Sequence, residues 1–169
     1  MVLRNDLIKE MRPIILVGGG GHCKSVIEAA ESAGYTIKGI LDLPQCMVSK
    51  VLDYDVIGSD DEIPLYVNEC DFVVSLGYIK NPSLRNKLHE RIEAADGNLA
   101  TVIASTAHVS KYATLGTGTV VLHGAMVNAG ATIGKGCIIN TLANIEHDVI
   151  IGDYCHISTG IAGWEKILF

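Results

Sequence analysis

The chain has 169 residues, 49% of them hydrophobic and 19% charged, which is material for one ordinary packed domain or two small ones. A net charge of −6 with no clustered basic run argues against a nucleic-acid surface, and no apolar run approaches the roughly 20 residues of a membrane span. The five cysteines, Cys23, Cys46, Cys70, Cys137 and Cys155, form no CxxC pair, and Arg4, Asp6, Lys9, Glu10 and Arg12 interrupt any leader-like run, so a soluble cytoplasmic protein without disulfides is expected.

In chain order, Met11-Arg12-Pro13-Ile14 reads as a natural start, with residues 1–10 either a short extra helix or the product of a misassigned start codon. Ile14-Ile15-Leu16-Val17 is a short, wholly apolar run ended by four glycines, the pattern of a buried parallel strand. Lys24 to Gly34 reads as a helix with Val26, Ile27, Ala30 and Ala33 on one face and Gly34 as its stop. Thr36 to Leu41 reads as a second strand ending at Asp42, and residues 43–56 as a loop. Asp71 to Leu76 is a third strand closed by Gly77. Asn81 and Pro82 then start a helix with Leu84, Leu88 and Ile92 at four-residue spacing, which Asp96-Gly97 ends. Such alternation predicts a small α/β domain with a parallel, Rossmann-like sheet over residues 12–100.

From residue 101 to 163 the period becomes six. Ile103, Val109, Leu115, Val121, Val127, Ile133, Ile139, Ile145, Ile151 and Ile157 lie six apart, and four residues after each comes a mostly small residue, from Ala107 to Cys155, before Ile161. Fixed-period hexapeptides predict a parallel β-helix. Each unit is a short strand and a corner. The branched aliphatic and the small residue face inward because strand side chains alternate, three units close a triangular coil, and coils stack their inward layers. Cys137 and Cys155 fall in the small inward slot and are poor candidates for nucleophiles or ligands. The same register turns Asn140 and His156 outward from strands and places His147 and Asp148 at an outward corner. His22 either caps the helix after the glycine turn or contacts a substrate. His89, His108 and His123 are assigned to the surface. The glycine turn after the first strand can present backbone amides to a phosphate or serve structure alone. It is not a full dinucleotide fingerprint, because Cys23 stands at the third glycine position of Gly18-x-Gly20-x-x-Gly.

The array resembles the left-handed β-helix acyltransferases, which use acetyl-CoA or other acyl thioesters. A narrower likeness comes from Gly18-Gly19-Gly20-Gly21-His22, Phe72-Val73-Val74-Ser75-Leu76-Gly77, and Asn140-Thr141-Leu142-Ala143-Asn144-Ile145-Glu146-His147-Asp148 followed by Ile151-Gly152-Asp153-Tyr154-Cys155-His156. These look like the PglD/NeuD type of sugar N- or O-acetyltransferase, and the likeness runs over residues 12–163. It implies a left-handed β-helix and a cytoplasmic homotrimer whose sites lie between neighbouring chains. It implies acetyl-CoA as co-substrate, no metal, and a UDP- or dTDP-linked amino sugar as acceptor. His147 would be the general base, with an unperturbed pKa near ~6.5 that suits it to take a proton from an attacking amine. Asp148 would fix its tautomer, with Glu146 as fallback. Asn140 would belong to the same site and His156 would lie beside the acetyl-CoA. Gly20, Gly21, His22, Asp42 and Gly77 would hold the nucleotide part of the substrate.

The register breaks after Gly160: position 163 is glycine, and Trp164 to Phe169 read as an irregular tail. Relative to the family this predicts a shortened β-helix with an incomplete CoA site. The competing readings are O-acetylation of a sugar of the sialic acid type, a non-catalytic nucleotide-sugar-binding protein, and a metal-dependent hydratase of the carbonic anhydrase type. The last is disfavoured because His147 and His156 are nine apart and no His-x4-His occurs.

Overall fold

The computed structural model describes residues 11–44, 49–78 and 81–163. The expectations for residues 1–10, for Cys46 and for the tail 164–169 lie outside the described residues.

The first apolar run forms β1 (Ile14–Val17), and α1 (Gly21–Ser32) begins directly at the glycine turn, three residues earlier than the sequence reading placed it. β2 (Ile37–Asp42) pairs parallel to one side of β1, and β5 (Asp71–Val74) to the other. Residues 43–56 are not simply a loop. β3 (Lys50–Val51) turns back at Leu52-Asp53 into β4 (Tyr54–Ser59), and β4 joins β2 in parallel, giving the sheet order β3-β4-β2-β1-β5. The alternation in this hairpin is too weak to read because only Val51 of it is buried. A short α2 (Ile63–Tyr66) and α3 (Ser83–Ala94) complete this half. Pro82 stands at the N-cap position of α3, and Asn81, one residue before it, accepts the Ser83 N–H through Oδ1 at 2.9 Å.

Strand alternation divides the sheet's side chains between two cores. Ile15, Val17, Leu41, Phe72 and Val74 pack beneath Ile63, Leu88 and Ile92. Ile14, Leu16, Ile40 and Val73 pack under α1 through Cys23, Val26, Ile27, Ala29 and Ala30.

The second half is a three-sided parallel β-helix. Its first face stacks β6 (Val102–Ile103), β9 (Val120–Val121), β12 (Ile138–Ile139) and β15 (His156–Ile157). The second stacks β7 (His108–Val109), β10 (Met126–Val127), β13 (Asn144–Ile145) and β16 (Ala162–Gly163). The third stacks β8 (Thr114–Leu115), β11 (Thr132–Ile133) and β14 (Ile150–Ile151). The inward set is the one the period demands, with Val121, Ala125, Val127, Ala131, Ile133, Cys137, Ile139, Ala143, Ile145, Val149 and Ile151 forming one buried column. Thr119, the polar residue of that column, is satisfied: its hydroxyl donates to Gly134 O at 2.9 Å and accepts the Cys137 N–H at 3.1 Å. The ladder also runs past the break in sequence register, since Ala162 and Gly163 still pair with Asn144 and Ile145.

Two features were not visible in the period. The outward residues of the first face are not solvated, because Val102, Val120 and Leu122 share the core of α1, so α1 is sandwiched between sheet and β-helix. The corners repeat a left-handed residue every six positions, at Gly118, Gly124, Gly130 and Gly136, then at Leu142 (φ 59°), Asp148 (φ 59°) and Tyr154 (φ 59°), then at Gly160. Three non-glycine residues in this conformation in one coil cost about 1 kcal/mol each, and such strain concentrates at functional sites.

Candidate active site

A cavity lies where the two halves meet. It measures about 590 Å³ and is lined by Gly20, Gly21, His22, Leu76, Gly77, Tyr78 and His156. Gly20 and Gly21 open α1 without a side-chain cap and with no acidic residue in the first turn, so the unpaired amides of the helix N-terminus face this space. Gly77 is required by packing: a Cβ there would stand 2.9 Å from His22 Cβ. Gly18 is required by its backbone, with φ at +108° and Leu76 against it.

His22 is mostly enclosed, and its Nε2 is buried with no hydrogen-bond partner among the described residues. Burial, then the nearby guanidinium of Arg85, with a smaller contribution from the His156 imidazole, hold its pKa down to about 4, so it is neutral at physiological pH. Its ring centroid lies 6.3 Å from that of His156. His156 Nδ1 lies 2.9 Å from Tyr78 O, and His156 Nε2 lies 3.1 Å from Asn140 Nδ2. The Tyr78 hydroxyl donates to Tyr154 O at 2.6 Å.

His147 and Asp148 form a second, separate constellation. His147 Nδ1 lies 3.0 Å from Asp148 Oδ2, with the side chains 56% and 78% exposed. They occupy the corner between β13 and β14, joining the second face to the third, whereas His156 and the cavity lie on the first face. Of the residues singled out from sequence, one chain therefore gathers Gly20, Gly21, His22, Gly77, His156 and Asn140, and holds His147 and Asp148 apart from them. Asp42 is not in the cavity either. It contacts the glycine turn at Gly19, accepts the Leu43 N–H at 2.8 Å, and lines a separate small crevice with Val17, Gly18, Leu41 and Asp60. Burial pushes the thiols of Cys23 and Cys137 up to about 11, which leaves both unreactive at neutral pH.

The sequence reading missed Tyr78, Arg85 and His89. Arg85 is fully buried, and its guanidinium joins the two halves. Nη1 donates to Val74 O and to Leu76 O, both at 2.7 Å, while Nε and Nη2 reach Gly136 O at 3.4 and 3.3 Å. His89, assigned to the surface, is 1% exposed and packs against the ring of Tyr154. The signal was present: Arg85, Leu88, His89 and Ile92 stand at i, i+3, i+4 and i+7 and are the buried stripe of α3. Reading apolar residues alone selects Leu84 instead, which is exposed.

The family model described as the PglD N-terminal domain matches residues 13–92. Among solved structures, the chain is similar to a histidine-to-asparagine variant of perosamine N-acetyltransferase from Caulobacter crescentus in complex with CoA and GDP-perosamine. The identity is 31% and the TM-score 0.78, over 89% of this chain and 73% of that one. It is similar to the acetyltransferase domain of PglB from Neisseria gonorrhoeae in complex with acetyl coenzyme A, at 32% identity and a TM-score of 0.81, over 90% of this chain and 73% of that one. PerB from Caulobacter crescentus, in complex with CoA and GDP-perosamine, aligns at 34% identity and a TM-score of 0.77, over 85% of this chain and 67% of that one. Among curated proteins no relative matches the chain.

Proposed function

The chain belongs to the PglD-type family of sugar N-acetyltransferases, acyltransferases built on hexapeptide repeats, and from that premise we propose that it moves an acetyl group from acetyl-CoA to the amine of a nucleotide-linked amino sugar, with His147 as general base. The observation that carries this reading is the exposed His147–Asp148 pair. A carboxylate on Nδ1 keeps the proton there and leaves Nε2 as the base. The amine nitrogen attacks the thioester carbon, His147 takes the amine proton, the C–S bond breaks, and the proton passes to the departing CoA sulfur. The nucleotide part binds in the cavity, its diphosphate on the amides of Gly20 and Gly21 and its sugar toward His22 and His156. Neutral His22 offers a hydrogen bond there without adding charge. GDP-linked sugars join UDP- and dTDP-linked ones as candidate acceptors, since two of the similar structures hold GDP-perosamine.

Since one chain keeps His147 a full side of the coil away from Asn140 and His156, the complete site forms between neighbouring β-helices of a homotrimer. Co-expression of His147→Ala with Asn140→Ala tests this. Each variant alone keeps on the order of 1% of the parent activity, and mixed trimers rebuild intact sites at about a quarter of the interfaces. Absence of any recovered activity in the mixture would place all the residues in one chain's site. Mass analysis of the product distinguishes N- from O-acetylation, because an amide survives hydroxylamine and an ester does not.

A further inference from the structure

The ring of His156 is hydrogen-bonded at both nitrogens, and its partners permit one tautomer. The Tyr78 carbonyl oxygen can only accept, so His156 Nδ1, 2.9 Å away, carries the proton. On the far side, Asn140 Oδ1 accepts the Thr141 backbone N–H at 2.8 Å, which turns Asn140 Nδ2 toward His156 Nε2 at 3.1 Å. An amide nitrogen only donates, so Nε2 is the unprotonated acceptor. Both ends demand the same neutral ring protonated at Nδ1. Tyr78 is in turn held by its hydroxyl on Tyr154 O at 2.6 Å and stands edge-on to the His156 ring, with centroids 5.4 Å apart. Tyr78 follows Leu76 and Gly77 along the wall of the cavity.

With Nδ1–H committed to Tyr78 and the Nε2 lone pair committed to Asn140, His156 has no N–H to offer a thioester. Asn140 has one: a carboxamide carries two N–H groups, and His156 uses one of them. We propose that Tyr78 and His156 are positioning residues that aim the second Asn140 Nδ2–H at the thioester carbonyl of the acyl donor, and that Asn140 is the donor that stabilises the oxyanion. This rests on the acetyltransferase reading above. As the amine bonds to the thioester carbon, the carbonyl electron pair moves onto oxygen, where Asn140 Nδ2–H meets it. Its return expels the CoA sulfur, while the amine proton travels through His147 to that sulfur. A donor fixed before reaction avoids reorganisation during it, and outer partners that lock its orientation share in that advantage. The resemblance implied that His156 itself meets the thioester; its hydrogen bonds give it the orienting role instead.

The tautomer is the first thing to measure, on the full-length protein labelled with ¹⁵N and without substrate. Long-range ¹H–¹⁵N spectra separate protonated from unprotonated ring nitrogens, and His156 is assigned by the signals that vanish in His156→Gln. The expected result is a protonated Nδ1 and an unprotonated Nε2; a proton on Nε2 overturns the proposal. Kinetics form the second arm. Glutamine retains one donor and one acceptor, so His156→Gln keeps kcat within about tenfold of the parent, whereas His156→Leu loses about 100-fold, as expected for an oxyanion donor set adrift. Equal losses in the two variants overturn the proposal. Asn140→Ala combined with His156→Leu falls no further than Asn140→Ala alone, because the two act as one unit; additive losses contradict it. The spectra need neither turnover nor a stable variant beyond the assignment, so a failed relay is distinguishable from a failed acetyltransferase reading, which shows as no transfer by the parent protein.

Discussion

Acidification from about pH 7 to about pH 5 weakens the fold through His89. The ring is 1% exposed, neither nitrogen has a hydrogen-bond partner among the described residues, and the neighbouring charges of Arg85 and Lys135 are positive. Burial first, then Arg85 and Lys135, hold its pKa down to about 3 from an ordinary 6.5. The unfolded chain therefore binds a proton below pH 6.5 that the folded chain refuses until near pH 3, so stability is full above 6.5 and declines as pH falls between those values. At 1.36 kcal/mol per pH unit, the stretch from 6.5 to about pH 5 removes about 2 kcal/mol. His22, held down to about 4, adds a loss of the same sign. His89→Leu keeps a side chain of similar volume and removes the titration, and at about pH 7 it is neutral or stabilising because the two unpartnered ring nitrogens at this position are gone. Urea denaturation at the two pH values is the assay. The parent is expected to lose about 2 kcal/mol more than the variant across the interval. Equal losses in the two proteins would refute the argument that His89 is buried neutral against the β-helix.

Two further perturbations follow from the same interface and coil. Arg85→Met removes two 2.7 Å hydrogen bonds from a cation and the link to Gly136, a loss of about 3 kcal/mol after the relieved desolvation of the guanidinium is set against it. Because Leu76 walls the cavity, KM for the sugar nucleotide rises more than kcat falls; a stability change below about 1 kcal/mol would contradict the linking role. Leu142→Gly relieves a left-handed residue that is 64% exposed and raises stability by about 1 kcal/mol in thermal or urea unfolding, and a decrease would show that the Leu142 side chain contributes more than its backbone costs.

The β-helix was legible because its inward layers obey one rule: Val121, Ile133 and Ile145 are buried for the reason that they lie twelve apart in a period of six, and no long-range information is needed. The parallel sheet was legible from Ile14–Val17 and Phe72-Val73-Val74, which are apolar on both faces because both faces are covered. The contact between the halves was not. Val102 and Val120 occupy outward positions that the period assigns to solvent, and they are buried only because α1 happens to lie across them. Arg85 and His89 look like surface residues by type, and packing against Gly118, Gly136 and Tyr154 of the β-helix encloses His89. The site divides the same way. Gly20, His22 and Gly77 line one cavity with His156, whose ring meets Asn140, while Tyr78, which completes that cluster, sits in no motif. Asp42 sits at the strand end as read and lines a crevice apart from the cavity, because strand position fixes where a side chain starts and not which cavity it lines.

The most direct test of the central claim is thiol release from acetyl-CoA by the purified protein, offered a panel of GDP-, UDP- and dTDP-linked amino sugars and their hydroxyl counterparts, with His147→Ala in parallel. The account predicts release with at least one amino sugar, none with the matching hydroxyl sugar, and a drop of about 100-fold or more in the variant with its fold intact. Release undiminished in His147→Ala would contradict the assignment of the base, and silence across the whole panel would contradict acetyl transfer by this chain.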